Sequence, residues 1–191
     1  MKKMLFFVFA AILSGCAGVN FSQVSPEARD FHPRSIAVMP ATVGEYESSR
    51  DVVEQVVSAS LLKTGYFENV VDSTSVKTQV AGSAELANDV SSFIQKLNTI
   101  GVSDKEAISR IKTSVNTEAV FLTYVTSWGY GRSEGNKVAR VGLGVKLVNA
   151  ENGQLVWKAN HEVTEDYTIM KPDLNDMAED VLEVLMNEMP R

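Results

Sequence analysis

The spacing of apolar residues changes period along this chain, and each change marks an element. Residues 35–40 read Ser-Ile-Ala-Val-Met-Pro, a short apolar run closed by proline, which predicts a buried strand. Residues 48–65 repeat at helical spacing. Val52, Val53, Val56, Ser60 and Leu61 share one face, Ser48 or Ser49 can cap the start, Asp51 sits in the first turn, and Gly65 stands where a helix ends. Valines are poor helix formers, so packing must hold this helix. Residues 66–72 predict a second strand. Leu86, Val90, Phe93, Ile94 and Leu97 give 84–98 a helical stripe. Ser103-Asp104-Lys105-Glu106 reads as a capping box, with Ser103 as the cap, opening a short amphipathic helix through Ala107, Ile108, Ile111 and Val115.

From residue 118 the period shortens to two. Residues 118–128 predict a strand, GYGRSEGN a glycine-rich turn, 137–148 a strand, Asn149-Ala150-Glu151-Asn152-Gly153 a tight turn, and 154–165 a third strand. In the middle strand Val141, Leu143, Val145 and Leu147 point one way, and Arg140, Gly142, Gly144 and Lys146 the other. Pro172 starts a last helix, with Asp173 and Asp176 in the first turn and Leu174, Met177, Val181 and Leu185 along its buried stripe. The order β-α-β-(α-α)-β-β-β-α predicts an α/β class: a mixed sheet with an antiparallel C-terminal meander, covered by helices as an α/β sandwich.

The first residues have a different logic. Lys2 and Lys3 precede an apolar run from Met4 to Leu13, well short of the ~20 residues a membrane-spanning helix needs. A short apolar run with basic start and small residues at its end reads as a removable signal. Leu13-Ser14-Gly15-Cys16 resembles the lipobox of bacterial lipoproteins, and Cys16 is the chain's single cysteine. The resemblance implies cleavage before Cys16, a diacylglyceryl group on its sulfur and a palmitate-type acyl chain on its new amino group. A triacylated cysteine anchors stably where one chain does not. Ala17 in place of an aspartate implies sorting to the outer membrane, facing the periplasm. An ordinary secretory signal with an incidental cysteine is the alternative reading. Residues 17–33, with Pro26 and Pro33 and no clean period, predict a tether. The expected organisation is therefore a signal peptide over 1–15, a lipidated tether over 16–33, and one periplasmic domain over 34–191.

Removal of 1–15 leaves 176 residues, enough for one domain with a real core. It also leaves 16 basic against 24 acidic side chains, a balance of −8 that argues against nucleic acid and against a polybasic membrane-binding surface.

Several stretches together carry a family likeness: HPRSIAVMP after the tether, LLKTGYFENV closing the first helix, EAVFLTYVTSWG, and VKLVNAENGQLVWKA. Over roughly 33–167 they are similar to the CsgG/PelC-like superfamily of outer-membrane lipoproteins, which includes small lipoprotein antigens of similar length. The resemblance implies an anticodon-binding-like α/β fold, no catalysis, a part in a cell-envelope export or assembly apparatus, and homo-oligomers or an envelope protein partner. The ten-residue alternating segments of a CsgG-type membrane barrel find no match, because 76–102 reads as helical and the GYGRSEG turn is short. Two other roles stay open: a regulator that activates a peptidoglycan synthase, and a small-ligand binding module.

Candidate chemistry is sparse. Only His32 and His161 accompany Cys16, so no zinc set, other metal site or cofactor site is expected. Gly129, Gly131 and Gly135 precede a strand, where a phosphate loop needs a helix. G-x-S-x-G is absent and no acidic pair stands out for acid–base work. The expectation is a protein that is not an enzyme. Three features could serve binding: Trp128 and Tyr130 on one face of their strand as interface anchors, Gly142 and Gly144 as a small face that another element, most simply a helix, approaches closely, and the 84–98 helix as an oligomer contact. Each has a plain packing role as its competitor.

Overall fold

The computed structural model describes residues 19–99 and 104–190. Among the described residues six strands form one mixed sheet in the order β1-β6-β5-β4-β2-β3. They are β1 (Phe21–Val24), β2 (Ser35–Val38), β3 (Asn69–Val71), β4 (Ala119–Ser133), β5 (Asn136–Asn149) and β6 (Leu155–Tyr167). Five α-helices accompany them among the same residues: α1 (Arg50–Thr64), α2 (Ser73–Ala81), α3 (Ala84–Thr99), α4 (Lys105–Val115) and α5 (Leu174–Asn187). β2 runs parallel to β3 and β4, while β4, β5 and β6 form the expected antiparallel meander.

The sheet is covered on both sides, which explains why β2 is apolar from Ile36 onward. Ile36 and Val38 join one core with Val53, Val57 and Leu61 of α1 and Met177, Val181 and Leu185 of α5. Ala37 and Met39 join the other with Val76 of α2, Leu86, Phe93 and Leu97 of α3, and Ile108 and Ile111 of α4. The valine-rich α1 is thus held by the packing its propensity demands, and it stops at Gly65, whose φ of 66° is the left-handed conformation glycine takes without strain. Glu54 lies on its buried face. The carboxylate accepts from the Ala41 N–H at 3.1 Å and the Ser73 hydroxyl at 2.6 Å and pairs with Lys77, tying α1 to the start of α2.

Several expectations are corrected. The tether expected over 16–33 does not extend to Pro33. Phe21–Val24 is an edge strand paired antiparallel with β6, Ser25 donates to the Val156 carbonyl at 2.8 Å, and a 3-10 turn over Pro26–Asp30 buries Ala28. This strand has no apolar alternation of its own, and backbone pairing supplies what side chains do not. Order therefore begins before Arg34. Residues 73–81, given no element of their own although 76–102 reads as helical, form α2 because Asp72 caps it, its side chain accepting from the Ser75 N–H at 2.7 Å. The 66–72 strand shrinks to Asn69–Val71. Ser103 lies outside the described residues, and Asp104 is the cap of α4, accepting from the Glu106 and Ala107 N–H groups. Ser49 occupies the cap position of α1, but its hydroxyl donates to the Tyr46 carbonyl instead.

The glycine-rich turn is also shorter. β4 continues through Ser133, and the reversal is the pair Glu134-Gly135, both at positive φ (51° and 91°), as a tight type I′ hairpin requires. The second reversal matches expectation. Asn149 accepts Glu151 N–H through its side chain, and Gly153, at φ 76°, donates to the Asn149 carbonyl at 2.8 Å.

Candidate functional site

The long meander presents two surfaces, and its register decides which residues share them. Trp128 pairs with Val141 and Tyr130 with Ala139, so both face the α1/α5 side. Gly142 and Gly144 face the opposite side. The sheet does not bring the two sequence-derived pairs together.

On the α1/α5 side Trp128 is half-buried against the core, while Tyr130 is exposed at the end of the meander. The Tyr130 hydroxyl donates to the Pro172 carbonyl at 2.7 Å, its ring meets Tyr167 edge-on at 5.9 Å, and the Lys171 ammonium lies 4.5 Å from its centroid. It fastens the β6–α5 loop to the hairpin.

On the other side no helix among the described residues packs over the glycines, which corrects the expectation that one would. A Cβ on Gly144 would fall 2.0 Å from Cζ of Tyr124, and one on Gly142 would fall 2.4 Å from the Thr126 hydroxyl and 2.6 Å from that of Ser127. The approaching element is the neighbouring strand itself, whose irregularity between Val125 and Ser127 turns these hydroxyls across β5. Among the core residues of this side β5 contributes only Val148, and helix cover stops near Lys146, whose ammonium donates to the Leu97 carbonyl at 3.1 Å and to Asn98 at 2.7 Å.

Beyond Lys146 the open face is polar and ordered. Tyr124 reaches across β5 to hydrogen-bond Asn160, and burial raises its phenol above the ordinary value. The Lys146 ammonium stands 5.5 Å from the Tyr124 ring, and burial, with repulsion from Lys158, lowers its pKa. Lys158 in turn stands 5.5 Å from the Phe21 ring. Ser127 donates to Glu162 at 2.6 Å, and Arg140 pairs with the same carboxylate at 3.4 Å. Sequence reading named the glycines but missed Tyr124, although a large aromatic directly opposite a glycine in an antiparallel pair is the available signal.

Gly144→Val should therefore destabilise the domain by about 1–3 kcal/mol, the usual cost of overpacking. Chemical denaturation measures it. Adding Tyr124→Ala to the valine variant should recover part of the loss, which a backbone effect of valine would not allow.

His161 sits on the α1/α5 side, opposite Leu143, 7% exposed and with no partner for Nδ1. Desolvation lowers its pKa from 6.5. The folded state thus binds its proton more weakly than the unfolded chain. Stability is fully present above pH 6.5 and is lost as pH falls through 6.5 toward the lowered value. Thermal melts between pH 7.5 and 5 should show this loss, and His161→Phe should flatten the slope in that window.

Among the described residues no three His, Cys, Asp or Glu side chains converge as a metal site would require, and no helix is long and apolar enough to cross a membrane. Asp89 and Arg110 form a two-pronged ion pair, 2.6 Å at each contact, that joins α3 to α4 at the surface; the guanidinium keeps the Asp89 carboxyl below its ordinary value. Cys16 lies outside the described residues.

Fold and surface together define a class: an α/β sandwich built on a six-stranded mixed sheet with an antiparallel C-terminal meander packed against helices. Solved structures make the likeness particular. The PelC dodecamer from Paraburkholderia phytofirmans superimposes with a TM-score of 0.54 at 15% identity, covering 84% of this chain and 92% of that one. A single-residue variant of that dodecamer gives 0.53 at 18% identity over 84% and 91%. Lipoprotein GNA1162 from Neisseria meningitidis gives 0.51 at 15% identity over 82% and 97%. No family model matches the sequence, and no curated protein matches it.

Proposed function

We propose that this protein is an outer-membrane lipoprotein, held on the periplasmic side by acyl chains on Cys16, that serves without catalysis as a ring subunit of a cell-envelope export or assembly apparatus. The observation that carries the reading is the shared fold over more than four-fifths of the chain with the subunit of a dodecamer. The Leu13-Ser14-Gly15-Cys16 sequence supports the anchor. So does the position of β1. With Phe21 already paired to β6, five residues (16–20) separate the lipid from the fold, and they reach about 17 Å. That length suits a domain kept against its membrane better than a regulator that must reach across to the cell wall.

Light scattering coupled to size-exclusion, on protein carrying Cys16→Ser, tests the oligomer. A closed ring of many copies is the expected result. A clean monomer that captures a peptidoglycan synthase would contradict it and support the regulator.

A further inference from the structure

The sheet ends at β1, and that strand is poorly defended as an edge. Edge strands are ordinarily blunted by charge, proline or a bulge, because their outward backbone groups template another strand. Phe21-Ser22-Gln23-Val24 carries neither charge nor proline, and its register with β6 runs without a bulge. The register also says which groups point out. Ser25 donates to the Val156 carbonyl, so alternation puts the hydrogen bonds of Gln23 and Phe21 on the β6 side. The N–H and C=O groups of Ser22 and Val24 therefore turn outward. Phe21 is 44% exposed and Val24 50%, one on each face of the strand.

A second observation gives the charge of what fits there. Lys146 and Lys158 stand directly opposite each other on β5 and β6, an arrangement that costs stability in an antiparallel pair and that a carboxylate relieves. Among the described residues neither lysine has an ion pair. Lys146 is turned inward, onto the Leu97 carbonyl and the Asn98 side chain. Lys158 leans the other way, over the Phe21 ring, which brings its charge across β1 toward the open edge. Glu162, the acid further along the same face of β6, is taken up by Ser127 and Arg140. A lysine pair beside an open edge runs against the overall charge of the chain, which holds 24 acidic and 18 basic side chains.

We infer that β1 takes up an extended, acidic segment of a partner protein as an added edge strand, its backbone pairing with Ser22 and Val24 and a carboxylate on the open face pairing with Lys158. Main-chain bonds supply affinity in such pairing, and the side chains beside them supply choice. A second copy of β1 brings no acid, since Phe21-Ser22-Gln23-Val24 is neutral. The inference stands apart from the ring and from the lipid.

The test uses the membrane-purified full chain in detergent and two dye-labelled eight-residue peptides, valine alternating with glutamate in one and with lysine in the other. Anisotropy reads binding, and hydrogen exchange reads the edge. The glutamate peptide is expected to bind about tenfold more tightly than the lysine peptide and to slow exchange at the Ser22 and Val24 amides. Methylating alternate backbone nitrogens of the peptide should abolish binding for the set that faces β1. Lys158→Glu, which also relieves the repulsion with Lys146, should reverse the preference between the peptides. Equal affinity for both peptides, no binding of either up to about 1 mM, or binding that survives methylation of both sets overturns the inference. Slow exchange at Ser22 and Val24 before any peptide is added shows the edge already covered, by a second copy or by the chain's own start, and also overturns it.

Discussion

Trp157→Ala is expected to cost about 3–5 kcal/mol, the range for deleting a large buried aromatic, and to lower the melting temperature by roughly 10 °C or more. Trp157 is fully buried, and it is the largest of the enclosed side chains. On β6 it lies opposite Leu147 of β5 and opposite Val24 of β1, so its ring fills the core where the meander meets the edge strand. Its indole N–H donates to the Ser22 hydroxyl at 3.1 Å. The alanine variant therefore removes both the packing under the sheet and the latch on β1. Ser22→Ala separates the two contributions, since losing that hydrogen bond alone should cost about 1 kcal/mol. Hydrogen exchange should show β1 amides opening in both variants, and the central strands losing protection only in Trp157→Ala. Equal stability losses in the two variants would sink this division.

Cys16→Ser is expected to move the protein from the membrane fraction to the soluble one. A single acyl chain gives only marginal, reversible binding, with an association constant of about 10⁴ M⁻¹, whereas three chains on one residue hold permanently at cellular concentrations. The serine variant offers no thioether site for the first lipid. What remains is an acidic chain, with 24 acidic against 18 basic side chains, which an anionic membrane surface does not hold. Membrane fractionation reads the outcome. Retention of the serine variant in the outer membrane would show that something other than lipid holds it.

What the sequence made legible follows from where the physics is local. β2 announced itself because a central strand buried on both faces must be apolar at every position, and Ile36 to Met39 are. The end of α1 at Gly65 and the Asn-Gly reversal at 152–153 were legible because left-handed backbone asks for particular residues. β1 was not, since Phe21-Ser22-Gln23-Val24 is mostly exposed and owes its strand to the free edge of β6. α2 was missed because Val76 is its only buried apolar residue, too little for a period. The continuation of β4 through Gly129 and Gly131 was hidden by glycines that read as a turn, whereas pairing with Arg140 and Val138 keeps them in the ladder. At the surface, the glycines of β5 pointed to a close approach, but only the register reveals Tyr124 as the group that makes it.

The measurement closest to the centre of the account is the mass of the N-terminal peptide of the natural protein, purified from its own membranes. A chain beginning at Cys16, with a diacylglyceryl thioether and an acylated amino group, is the expected result. A chain still carrying Met1, or a Cys16 bare of fatty acid, would contradict it.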